Sequence, residues 1–152
     1  MVRGLRNPAI GNFEVETLIN EPLGAVCRAI EDFFVFSDAR PEDFLLLYFS
    51  GHGVTDEGGR RLYLTTVDTQ LVHHSVRRAT AVAEDFVKAA MQRSRSRRQV
   101  ILLDCCHSGA FAEGLSKSTS LPELSSYFQG SGRMVLAGPP PQRSGEGCHC
   151  TI

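Results

Sequence analysis

The stretch Phe44-Leu45-Leu46-Leu47-Tyr48-Phe49-Ser50-Gly51-His52-Gly53 is an unbroken apolar run that stops at Ser-Gly-His-Gly. A second run, Val100-Ile101-Leu102-Leu103, stops at Asp104-Cys105-Cys106-His107-Ser108-Gly109. Short continuous apolar runs that end at glycine are the pattern of strands covered on both faces, so a parallel, central sheet is expected, and if the two strands are neighbours in it their ends share one edge. Ligands and reactive groups of such sheets gather just beyond the carboxyl ends of the strands. His52 lies three residues past Phe49 and Cys106 three residues past Leu103, so both are expected at one edge of the sheet.

The rest of the chain is read outward from these two runs. Phe13-Glu14-Val15-Glu16-Thr17 alternates apolar and polar positions and predicts a half-buried strand. Pro22 suits the start of a helix, where its missing N–H costs nothing. Leu23, Val26, Cys27, Ile30, Phe33 and Phe34 then form one apolar stripe at helical spacing, which makes Cys27 a core thiol. Residues 61–67 read as a strand or hairpin arm. A helix is expected over residues 80–92, with Thr80 as N-cap and Val82, Phe86, Val87, Ala90 and Met91 as its stripe. Residues 133–137 suggest a further strand. Strands alternating with helices define the α/β class.

Composition narrows the function. The chain has 152 residues, 16 basic against 17 acidic side chains and a net charge of −1. That balance gives no global case for nucleic acid or for an anionic membrane surface. No segment reaches the roughly 18–20 apolar residues of a membrane span, and the start of the chain lacks a signal-peptide core. Five cysteines, two of them adjacent, make a poor disulfide framework, so reduced thiols and a cytoplasmic chain are expected.

A histidine and a cysteine at one sheet edge suit nucleophilic catalysis, with the thiolate as nucleophile and the imidazole handling the proton. Residues 108–111 are expected to open a helix whose positive end favours the thiolate. The Gly53 and Cys106 N–H groups suit an oxyanion hole. The plainer readings are a turn histidine at His52 and an inert buried thiol at Cys106.

The two motifs, Ser50-Gly51-His52-Gly53 and Asp104-Cys105-Cys106-His107-Ser108-Gly109, resemble the catalytic motifs of the caspase-like cysteine peptidases, the second being closest to metacaspases and their bacterial relatives. Their separation of 54 positions matches the spacing of about 50 found in caspases. The resemblance runs from about Phe13 to Ala137. It implies a three-layer α/β/α sandwich with a mostly parallel central sheet, lacking the family's first strand and its C-terminal strands. It also implies a cysteine endopeptidase with His52 and Cys106 as the dyad. By the same resemblance Asp104 lines the specificity pocket, giving cleavage after Arg or Lys; a carboxylate suits a cation by charge alone. Asp104 capping the following turn is the other reading. Fused or partner signalling domains are implied by resemblance only, and the rival reading is an inactive caspase-like interaction module.

Other clusters carry less. The adjacent spacing of Cys105, Cys106 and His107, and of Cys148, His149 and Cys150, does not suit zinc. Asp56, Glu57 and Asp68 are too scattered for a calcium loop, so no metal or other cofactor is expected. Arg93, Arg95, Arg97 and Arg98 read as a solvated helix end, with phosphate or RNA binding as the alternative. His73-His74 sits in a polar loop. Residues 1–12 form a short polar lead, and 113–132 a long loop with Lys117 as a self-cleavage candidate. Residues 138–152, with three of the seven prolines and two cysteines, break the pattern and suggest truncation or a reading-frame change near Ala137.

Overall fold

The computed structural model describes residues 2–9, 11–56, 61–107 and 133–137, with the backbone alone at positions 2, 106, 107 and 133–137. After a short helix α1 (Val2–Leu5) the elements are α2 (Leu23–Glu31), β1 (Phe44–Thr55), β2 (Leu62–Leu64), β3 (Leu71–Val72), β4 (Ser75–Val76), β5 (Val82–Ala83), α3 (Glu84–Arg93), β6 (Arg98–His107) and β7 (Arg133–Ala137). Five strands form one sheet in the order β5-β2-β1-β6-β7, and β3 pairs with β4 apart from it. The β1, β6 and β7 strands run parallel. On the other side, β2 and β5 add antiparallel strands. The α/β class and its central sheet are therefore as expected, with an antiparallel flank built from the predicted hairpin arm.

The core lies on one face of this sheet. Leu45, Leu47 and Phe49 of β1 and Ile101, Leu103 and Cys105 of β6 pack against Val26, Ile30 and Phe34 and against Val87, Ala90 and Met91. Alternation explains the selection, because odd positions of both strands share that face. The α2 stripe continues past Glu31 through a π-helical turn, Asp32–Phe36, which buries Phe34 and leaves Phe36 exposed. Cys27 is half-buried against this core, and burial pushes its thiol pKa up, with Glu31 and Asp68 adding to the effect. The helix expected to open at residues 108–111 falls outside the described residues.

Three local expectations are corrected. Residues 13–17 join no ladder, and only Ile19 forms an isolated bridge: alternation supplied an apolar face but no paired neighbour. Thr80 does not cap α3. Its hydroxyl donates to the Arg77 carbonyl and accepts from Gln70 N–H, closing a 3-10 turn, while Val82–Ala83 pairs with β2 and the helix begins at Glu84. Pro22 is the N-cap of α2 rather than its first residue, and has no capping side chain of its own. Instead the Asp68 carboxylate accepts from Leu23 N–H at 2.9 Å, 45 residues away along the chain. The Thr66 hydroxyl and Leu23 N–H together hold the Asp68 pKa below the usual carboxylate value.

Glu84 ties the antiparallel flank to α3. It is 4% exposed, its carboxylate accepts from the Leu62 backbone N–H, and Lys88 Nζ lies 3.7 Å away. Burial pushes its pKa up, against the pull of Leu62 N–H and Lys88. The folded carboxyl thus holds a proton more tightly than an unfolded one. Its contribution to stability is complete below the ordinary glutamate value of about 4.3 and is lost as pH rises through the raised value. Urea titrations should therefore show wild type gaining on Glu84→Gln as pH falls from neutral toward the ordinary glutamate value of about 4.3. A difference independent of pH would contradict this. Glu84→Ala, which strands the Leu62 N–H, should cost roughly 1–3 kcal/mol.

Candidate active site

The two motif strands lie side by side along their whole paired length, from Phe44 opposite Arg98 to Gly53 opposite His107. Within that register His52 stands directly opposite Cys106. Adjacent paired strands run about 4.8 Å apart, so the two backbones meet at the carboxyl end of the parallel pair. Both residues lie within their strands, which corrects the expectation that they fall three residues past the strand ends. The β1 strand runs on to Thr55 because β2 takes over as its partner, Gly53 opposite Leu64, and the β6 strand runs on to His107.

Each position is held from below. The His52 carbonyl accepts from Thr65 N–H at 2.9 Å and from the Thr65 hydroxyl at 3.0 Å, so the residue following β2 fastens the β1 backbone at the site. Gly53 is buried, on the last rung of the β1–β6 ladder and paired to β2 on its other side. A Cβ there would stand 3.2 Å from Leu62 Cδ1 and 3.3 Å from Cys105 Sγ, so a side chain would have to push these two neighbours back by a few tenths of an ångström. Cys105 itself is 4% exposed and belongs to the core. Its neighbour, position 106, has the strand parity of positions 104 and 102.

Asp104 lies opposite Ser50 in the register and is exposed. Its Oδ2 accepts a 3.0 Å hydrogen bond from the Tyr48 hydroxyl. Partial burial pushes the Tyr48 phenol pKa up, the Asp104 carboxylate adds to this, and a hydrogen bond from Ser50 opposes it. Tyr48, read from sequence as one more apolar residue of the strand, is the site neighbour that sequence reasoning missed. Its hydroxyl at an even position, in step with 50, 52 and 104, was the available signal. Residues 108–111, Lys117, Glu57 and the Cys148-His149-Cys150 cluster lie outside the described residues. His73 and His74 both have left-handed backbones (φ 49° and 65°) at the exposed β3–β4 turn, and Arg93 pairs with Glu31 at 3.4 Å.

A histidine and a cysteine in register on neighbouring parallel strands suit thiol chemistry, and comparison with known families agrees. The caspase domain model matches residues 5–143. The chain belongs to the caspase domain family. This is a family of cysteine peptidases, so a peptidase hydrolase acting on protein substrates is the function that membership implies. No curated protein and no solved structure matches the chain. Among the described residues of this caspase domain, no helix is long and apolar enough to cross a membrane.

The Gly53 packing yields a test. Gly53→Ala should lower stability by about 1–3 kcal/mol in urea titrations, through overpacking against Leu62 and Cys105. The loss should shrink in a Cys105→Ala background, where the crowding sulfur is gone. Additive effects would contradict the contact.

Proposed function

We propose that this caspase domain is a cysteine endopeptidase of metacaspase type, working in the cytoplasm and cleaving after Arg or Lys with a Cys106–His52 dyad. The observation that carries the proposal is the register of β1 on β6, which sets residue 52 opposite residue 106. The Cys106 thiol gives its proton to His52, and the thiolate forms a C–S bond with the peptide carbonyl carbon. The Gly53 and Cys106 N–H groups hold the resulting oxyanion. His52 then returns the proton to the leaving amine as the C–N bond breaks, and water hydrolyses the thioester with His52 as base. Asp104, exposed two rungs below the dyad, accepts the cationic side chain preceding the scissile bond. No metal and no other cofactor takes part in these steps. Partner or fused signalling domains would bring it to its substrates.

Fluorogenic peptides ending in Arg, Lys and Asp test this with the intact chain, Cys106→Ala and His52→Ala. Cleavage after Arg and Lys is expected, falling by more than roughly a thousandfold in either variant. Activity untouched by Cys106→Ala would overturn the nucleophile assignment. Cleavage after Asp alone would overturn the role of Asp104. A folded but silent protein would favour the inactive interaction module.

A further inference from the structure

On the sheet face opposite the core, Tyr48, Ser50 and His52 of β1 occupy alternate positions, and Asp104 of β6 lies opposite Ser50. Tyr48 is half-buried, whereas Asp104 is exposed. An exposed aspartate ordinarily samples several rotamers, and a carboxylate must be held in place before it can discriminate between cations. The only side chain among the described residues with a hydrogen bond to Asp104 is Tyr48, whose hydroxyl donates to Oδ2 at 3.0 Å. A phenol is suited to this task. Its side chain is half-buried, it has few rotatable bonds, and a hydrogen bond to a charged acceptor is stronger than one between neutral groups. The bond uses one carboxylate oxygen and leaves lone pairs on the other for a guanidinium or ammonium group.

We propose that Tyr48 is the positioning residue of the substrate-binding carboxylate, its hydroxyl fixing Asp104 so that a cationic side chain preceding the scissile bond finds it in place. This rests on the reading of Asp104 given above. The residue acts through Asp104 and touches neither the scissile bond nor the dyad. Removing the hydroxyl should therefore weaken selection of a cationic residue and leave general peptide binding intact.

The test is equilibrium binding, so it does not depend on turnover. Fluorescein-labelled peptides with Arg, or with uncharged norleucine, at the position preceding the scissile bond are titrated into the full chain carrying Cys106→Ala. The same titrations follow with Tyr48→Phe, with Asp104→Asn and with both added. Expected is a preference for the Arg peptide that falls roughly tenfold with Tyr48→Phe and at least as far with Asp104→Asn. The double variant should lose no more than Asp104→Asn alone, while Tyr48→Phe leaves norleucine binding unchanged. If Asp104→Asn abolishes the preference and Tyr48→Phe leaves it intact, the positioning role is overturned and the Asp104 reading survives. Equal weakening of both peptides by Tyr48→Phe would show a merely structural tyrosine and overturn the role as well. A parent protein with no preference for Arg overturns the Asp104 reading, and this proposal falls with it.

Discussion

The backbone pairing of β1 with β6 is the constraint on which the rest of the molecule depends. A slip of one residue in a parallel ladder would exchange the core positions for the outer ones, so burial of one face restricts the register. Here Leu45, Leu47 and Phe49 together with Ile101, Leu103 and Cys105 must all face α2 and α3. That requirement sets Phe44 opposite Arg98, and counting along the ladder brings His52 opposite Cys106. The site geometry thus continues the register of the core strands, whose last packed positions, Phe49 and Cys105, lie next to it.

The same alternation distinguishes two adjacent cysteines. Cys105 is committed to the core by its neighbours Leu62 and Gly53, where the distances leave no room for a further carbon atom without displacement. A thiol in apolar surroundings has its thiolate disfavoured and its access blocked, so it is a poor nucleophile. Position 106 shares its parity with Asp104, whose carboxylate meets Tyr48 on the outer face. One strand therefore supplies a packing thiol and a candidate reactive one in consecutive residues.

Much of this was legible from the sequence because it rests on local pattern. The apolar runs at residues 44–49 and 100–103 announced the buried strands, and the stripe from Leu23 to Phe34 announced α2. What could not be read depended on partners distant along the chain. Residues 44–49 gave no sign that β1 would reach Thr55, because the extension is supported by β2, a segment that sequence shows only as a hairpin arm. Thr80 has the chemistry of an N-cap, yet Gln70 and Arg77 capture its hydroxyl. Leu23 finds its cap in Asp68, 45 residues away along the chain, where no local rule would look. Residues 13–17 alternate well but lack a neighbouring strand, and alternation without a partner is not a strand. In the site, His52, Asp104 and Cys106 were visible as motif residues, whereas Tyr48 was hidden inside an apolar run.

Site-resolved alkylation of the native chain tests the central claim most directly. The chain is treated briefly with iodoacetamide at neutral pH, and the modified cysteines are located by mass spectrometry of its peptides. The account predicts that Cys106 is modified first, more slowly in His52→Ala, while Cys105 stays protected until the fold is lost in denaturant. Modification of Cys105 as fast as Cys106 in the folded chain would contradict it, because the register that buries one cysteine is the register that places the other opposite His52.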